Sequence, residues 1–518
     1  MRPGTVAQRG SSPWEMVDQA AWVMRQAVIR QKKRSTAHSQ RLMAERMRTS
    51  KELFMADLKR DGKNDTKGHD GCKWQERLDE LFHQNPARLR HMRDAASVAQ
   101  DVADLCGLAP HACGQLATAA LAHDLGYAPQ LQRTGYHPVD GALFLEECGE
   151  DPFVVEAVLR HSRAGLRSDL PPAVRQVYGQ RPPRPEATWL VDAVTWCDWR
   201  AAGIGGRVGL GARLQDILQR HPGDEAKARR ARALVAAVRA YAAGMIDRRG
   251  LPWVVCDIDN TLLFPGGELP SAVFQSLARY QRCGGRISLA SGKHPLSTLA
   301  HARDWGLDGW HVAANGTCAV RQGRVEVVAH LEEAEPLVEA LSSQGLGLAV
   351  YRVGGIEPRG AWQEEYSAAF ARYGELRPQG ERLPGPVLKI LAVLDAQCQE
   401  AEARLRRTVQ EAGCTVCRSD RHFLEILPSG CGKGTAAAWI FAQEGWPLLA
   451  SLAVGDNEND AQMFHLCGLA AVVDNAPQEV AALADVRIPP CAAGGVGALL
   501  DTLREAGVRG AVQRWVAP

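Results

Sequence analysis

The chain has 518 residues, 46% apolar and 23% charged, with 61 Lys and Arg against 59 Asp and Glu and a formal charge of +2. That length holds two to four globular units at roughly 150 residues each. The small net charge excludes the broad cationic surface of a non-specific nucleic-acid binder, and no run approaches the ~20 apolar residues that span a bilayer. Fourteen irregularly spaced cysteines and an N-terminus without an apolar signal core point to reduced thiols, no membrane and a cytoplasmic location.

Through residue 80 the chain carries 17 Lys and Arg against 11 Asp and Glu, and the polar run KRDGKNDTKGHDGCK breaks any helix begun before it. A flexible, solvated basic arm is expected over 1–75. From 76 to 242 the texture turns helical: Val98, Val102 and Leu105 fall at i, i+4 and i+7, and Leu116, Ala120 and His123 repeat the interval.

Within this helical stretch, ATAALAHDLGY ends an apolar pattern on His123 and Asp124. His91 stands upstream in LRHMRDA, and His137, His161 and Asp198 follow in GYHPVDGA, LRHSRAG and VDAVTWCDWRA. Imidazoles and carboxylates converging from several helices make a site for Fe, Mn, Zn or Mg that lowers the pKa of a bound water. The order H…HD…H…H…D, over roughly 85–240, resembles the HD-domain metal-dependent phosphohydrolases. The resemblance implies His91, His123, Asp124 and Asp198 as core ligands. It further implies that His137 and His161 mark the subset with two ions, which includes symmetrical dinucleoside polyphosphate hydrolases, with Asp124 bridging one or two divalent transition metals such as Fe or Mn. Asp192 is the alternative to Asp198, but CDWRA fits the family segment better. His38, His83, His294 and His465 are read as ordinary core or surface residues.

After a connector, AAGMIDRRGLP, short apolar runs end on Gly or Asp: WVVCDID, GRISLASG, GWHVAANG and SLAVGD. Such runs, separated by helix-length segments, predict a parallel sheet with helices on both faces. The first delivers Asp257 and Asp259 to a strand's C-terminal edge, where open α/β sheets bind ligands. The second ends in Ser291 and Gly292, a hydroxyl and an N–H that grip phosphoryl oxygens. LEILPSGCGKGTA sets Lys433 at a helix start, and SLAVGDNENDAQMF supplies Asp456 and Asp460, hard donors suited to Mg2+.

These four motifs, in this order, resemble the haloacid dehalogenase superfamily of aspartate-nucleophile phosphatases over about 251–512. By that resemblance Asp257 takes the phosphoryl group, Asp259 protonates the leaving group and later activates water, and Ser291 and Lys433 hold the phosphate. Mg2+ sits on Asp257, the Asp259 carbonyl and Asp456, with Asp460 in support. The roughly 140 residues between Gly292 and Lys433 imply an inserted α+β cap, at about 320–425, as in the large-cap branch acting on small phosphomonoesters. Asn315, followed by Gly316, and Asn475 fall at substrate-side loops with Gly292. Two departures are Asn260, where many relatives have Gly, and Lys293, where Arg is common.

The expected architecture is multidomain: an all-α HD domain over 76–242, then an α/β Rossmann-like core with an inserted cap over 250–512. The expected function is a bifunctional phosphohydrolase acting on a small phosphorylated metabolite and on a nucleotide. The alternative makes the HD half a metal-dependent nucleotide sensor and only the C-terminal half catalytic; phosphotransfer to an acceptor other than water is a third reading. Because one ligand set ends before residue 199 and the other begins after 256, two halves that fold and act separately are also expected.

Overall fold

The computed structural model describes residues 78–516 apart from 265–266, 371–374, 395–398 and 421. The arm expected over 1–75 lies outside the described residues. The helical half comprises α1 (Pro86–Cys106), α2 (Pro110–Ala122), α3 (His137–Glu147), α4 (Pro152–Arg160), α5 (Pro172–Gln180), α6 (Thr188–Arg200), α7 (Leu210–Arg220) and α8 (Glu225–Arg249). Prolines open α1, α2, α4 and α5, at positions whose N–H has no helical partner to lose. Val98, Val102, Leu105, Leu116 and Ala120 are buried in one core, as their spacing predicts.

The strands are β1 (Trp253–Cys256), β2 (Arg286–Leu289), β3 (His311–Ala313), β4 (Cys318–Arg321), β5 (Arg324–Val327), β6 (Gly347–Arg352), β7 (Gly355–Gly360), β8 (Lys389–Val393), β9 (Thr415–Asp420), β10 (Phe423–Leu427), β11 (Ser451–Gly455), β12 (Leu469–Val473) and β13 (Val486–Ile488). Among them run α9 (Ser271–Arg282), α10 (Pro295–Asp304), α11 (Ala334–Ser342), α12 (Gln399–Glu411), α13 (Lys433–Gln443), α14 (Ala461–Leu466) and α15 (Gly495–Arg514). A parallel sheet in the order β13-β12-β11-β1-β2 forms the α/β core, and a bridge from Ala290 to Val312 carries it on to β3. The insertion holds a separate antiparallel sheet, β7-β6-β8-β10-β9. Leu337 and Leu341 of α11 and Leu405 and Val409 of α12 pack on its Ile390, Leu424 and Ile426.

Two expectations are corrected. The connector over 242–250 is not a linker: residues 242–249 complete α8, and Gly250 caps it with φ of 110°. Asp247 near that end accepts the N–H groups of Val508 at 2.6 Å and Arg509 at 3.1 Å. Nor are the halves separate in packing, since Trp196 and Val238 share one hydrophobic core with Val254, Leu289 and Leu500. Gly211 of α7 approaches so closely that a β-carbon there would lie 2.6 Å from the Leu483 carbonyl oxygen. Among the described residues no helix is long and apolar enough to cross a membrane.

Candidate functional sites

The first centre draws on five helices. His91 lies on α1, His123 and Asp124 follow α2, His137 opens α3, His161 follows α4, and Asp198 lies near the end of α6. His91 Nε2 stands 3.0 Å from Asp198 Oδ1 and 3.3 Å from His123 Nε2. Asp124 sits between two imidazole pairs: Oδ2 faces His123 at 3.4 Å and His91 at 3.8 Å, while Oδ1 faces His137 at 3.2 Å and His161 at 4.0 Å. The Nδ1–H of His123 donates to the Ala120 carbonyl at 2.8 Å and that of His161 to Val158 at 2.7 Å, which turns each Nε2 inward. Ser162 and Arg163 adopt positive φ, 52° and 55°, immediately after His161. That strained turn lets Ser162 Oγ donate to Asp198 Oδ2 at 2.7 Å. Asp192, six residues back along α6, projects from a different face.

Burial favours neutral imidazoles here and wins at His137, held down at about 3, and at His161, also lowered. At His123 burial is outweighed by Asp124 and Asp198, which raise it to about 10. Burial likewise opposes ionisation of Asp124 and Asp198, yet the facing imidazoles hold both well below the usual carboxylate range. The cluster therefore calls for positive charge at its centre. Two triads, His91/His123/Asp198 and Asp124/His137/His161, each place one donor atom per residue within 4.8 Å of the others. Mixed imidazole and carboxylate donors of this kind fit divalent transition ions.

The second centre lies at the C-terminal edge of the parallel sheet. Asp257 continues β1, its N–H donating to the Val454 carbonyl at 2.9 Å. Lys433, buried at the start of α13, reaches Asp257 Oδ1 at 2.5 Å and Asp460 Oδ1 at 2.6 Å. Asp460 Oδ2 accepts the N–H groups of Asp456 and Asn457 at 2.9 and 3.0 Å, so its carboxylate also braces the loop. Thr261 Oγ1 donates to Asp456 Oδ1 at 2.9 Å. Burial, reinforced by Asp460 and Asp456, pushes Asp257 well above the carboxylate range, and burial with Asp460 raises Asp456 to about 6. Burial opposes charge on Lys433 too, but Asp257 and Asp460 hold it above the usual lysine value. Asp257, Asp456 and Asp460 each offer an oxygen within 4.8 Å of the others. Fully ionised, the three carboxylates would exceed the Lys433 ammonium by two negative charges, a balance and an all-oxygen donor set that suit a hard divalent cation.

Ser291 follows β2 and is buried beside this edge, its Oγ accepting the Lys293 N–H at 3.1 Å. Asp259 turns to the rim, where Oδ2 pairs with Lys293 Nζ at 2.8 Å. The Asn315–Gly316 turn presses on the Lys433 loop: a β-carbon at Gly316, where φ is 90°, would lie 1.8 Å from the Gly432 carbonyl oxygen. Asn315 Oδ1 accepts from Asn459 Nδ2 at 3.3 Å and would lie 3.2 Å from a β-carbon at Gly292. Asn475 is exposed and ties two loops together, donating to the Asn260 carbonyl at 2.9 Å and accepting the Cys491 N–H at 2.8 Å.

Sequence reasoning missed Arg88, whose Nη1 donates to Asp124 Oδ2 at 2.6 Å. Its guanidinium lies 4.3 Å over the Tyr127 ring, which stacks on His137 at 4.1 Å. The available signal was its spacing, three residues before His91 on one helix face. Also missed were Lys389 and Glu425, charged residues inside the apolar runs VLKILAVLD and HFLEIL.

A family model for the HD domain matches residues 88–197, and one described as haloacid dehalogenase-like hydrolase matches 254–500. The chain is 28% identical over 239 residues to an HMP-PP phosphatase of Cronobacter sakazakii, covering 44% of this chain and 86% of that protein. It is 27% identical over 239 residues to an HMP-PP phosphatase of Klebsiella pneumoniae, covering 45% and 88%. A solved haloacid dehalogenase-like hydrolase from Bacteroides thetaiotaomicron aligns with a TM-score of 0.44 and 24% identity, covering 49% of this chain and 99% of that one. The chain therefore joins an HD domain, matched over residues 88–197, to a haloacid dehalogenase-like hydrolase domain, matched over residues 254–500.

Proposed function

We propose that the chain is a bifunctional phosphohydrolase, with an HD unit near 76–242, a phosphatase unit near 250–512 and a cap near 320–425. The observation that carries the reading is Lys433, buried between Asp257 Oδ1 and Asp460 Oδ1 at 2.5 and 2.6 Å. That ammonium offsets charge on a carboxylate that attacks phosphorus and on the phosphoryl group as it transfers. Asp257 forms a phosphoaspartate with a small phosphomonoester, sugar phosphate or phosphoglycolate-like. Asp259 gives a proton to the departing oxygen and takes one from the water that opens the acyl phosphate. Ser291 Oγ and the Gly292 N–H bind phosphoryl oxygens, with Asn315 and Asn475 on the substrate side. Mg2+ would be held by Asp257, Asp456 and the Asp259 carbonyl, with Asp460 in support, and when bound supplies Lewis-acid stabilisation of the phosphoryl charge. The likeness to proteins named HMP-PP phosphatase supports a small phosphorylated substrate.

In the HD half, His91, His123, Asp124, His137, His161 and Asp198 would hold one or two transition ions beside a nucleotide phosphoester or phosphoanhydride. A cytoplasmic location belongs to the same reading. The test is a screen of the full chain against phosphomonoesters with Mg2+ and nucleotides with Mn2+ or Fe2+. Asp257→Asn should abolish the first activity alone, and His123→Ala with Asp124→Ala the second alone. Loss of both activities in either variant, or of neither, contradicts the assignment.

A further inference from the structure

Between the cap sheet and the phosphate-gripping loop lies an ion pair with no role in the chemistry described above. Lys389 of β8 is fully buried, and its Nζ donates to Glu425 Oε2 on the neighbouring β10 at 2.5 Å. The same ammonium donates to the Gly292 carbonyl at 2.7 Å and lies 4.2 Å over the Tyr351 ring. A buried pair is costly to desolvate, and an apolar contact would seat a cap as firmly. What an apolar contact cannot do is orient a carbonyl.

The peptide that joins Gly292 to Lys293 is planar, so fixing its C=O fixes the direction of the Lys293 N–H. That N–H donates to Ser291 Oγ at 3.1 Å. With a lone pair so engaged, the Ser291 hydroxyl hydrogen is directed away from Lys293 and is free to meet a phosphoryl oxygen. We propose that Lys389, held by Glu425, is a positioning residue for phosphoryl transfer: the cap sets the Ser291 hydroxyl through the Gly292 carbonyl. The proposal rests on the phosphatase reading of the second centre.

The experiment is a double-mutant cycle in the full chain, reading kcat/KM on para-nitrophenyl phosphate and inhibition by inorganic phosphate. Lys389→Met should lower kcat/KM roughly tenfold or more and weaken phosphate inhibition in parallel. On a Ser291→Ala background the same change should cost less than about twofold, because the group it positions is gone. Glu425→Gln keeps the ammonium but loosens it, so it should produce a smaller loss with the same dependence on Ser291, and it carries the cycle if Lys389→Met does not fold. Losses that add in full on the Ser291→Ala background, or an unchanged kcat/KM in both cap variants, overturn the proposal alone. A wild-type chain without phosphomonoesterase activity overturns the parent reading and this one with it.

Discussion

Arg200, two residues beyond Asp198 on α6, donates through Nη2 to the Cys467 carbonyl at 2.8 Å. The same nitrogen reaches the His465 carbonyl at 2.7 Å. The helix that carries Asp198 of the first centre is thereby fastened to the end of α14, whose N-cap is Asp460 of the second. Arg239 and Asp485 add a buried ion pair at 3.3 Å across the same boundary.

Shared packing of this kind makes unfolding a joint event. We expect the full chain to melt in one calorimetric transition, and Gly211→Ala to move it as a whole. Alanine adds about 1 kcal/mol of helix propensity. Its β-carbon, however, meets the Leu483 and Ala484 carbonyl oxygens at 2.6 and 2.7 Å, and forcing that backbone contact apart should leave a net loss of about 1–3 kcal/mol. Two transitions, only one of them displaced, would contradict a common core.

The two triads of the first centre make a prediction about metal content. After reconstitution with Mn2+ in the presence of excess Mg2+, elemental analysis should find about two transition ions per chain. Asp124→Asn should lower that number, since Asp124 faces all four imidazoles of the cluster. His123→Ala should do the same while leaving hydrolysis of a small monoester by the second centre within about twofold, because the two candidate ligand sets share no residue. Unchanged metal content in both variants would overturn the assignment of these residues as metal ligands.

A pH dependence follows from His465. Burial, with Arg200 nearby, lowers it from 6.5 to about 4, and its Nδ1 accepts the Gly209 N–H at 3.0 Å. Below pH 6.5 the unfolded chain takes up a proton that the folded chain refuses. The stabilisation is therefore full above 6.5 and is lost as pH falls toward 4, with a slope of up to ~1.4 kcal/mol per pH unit for one proton. His465→Asn keeps an acceptor for Gly209 and should flatten the urea-unfolding profile by that slope between pH 6.5 and 4. An identical profile in the variant would show that His465 carries no part of it.

Much of this was legible in the chain because it is encoded locally. Short apolar runs that stop on Asp257, Ser291 and Asp456 mark strand ends, and helix-spaced histidines mark faces that can converge. The common core was not legible, because Gly211, Val238 and Arg200 carry no local sign that another domain lies against them. The connector misled for a related reason: AAGMIDRR carries Gly244 buried inside α8, and the helix runs on to Arg249, a helical run overshadowed by the change of texture after it. Lys389 and Glu425 were hidden inside strand-like runs, where one charge among apolar neighbours reads as an edge position until the cap is folded onto Gly292.

The central claim is that Asp257 is the residue phosphorylated during turnover. Its most direct test is rapid acid quenching of the full chain with a phosphomonoester and Mg2+, followed by reduction of the trapped acyl phosphate and peptide mass spectrometry. The account requires the label on Asp257 and its absence in Asp257→Asn, with hydrolysis abolished. A label on any other residue, or an Asp257→Asn chain that still turns over the monoester, would contradict it.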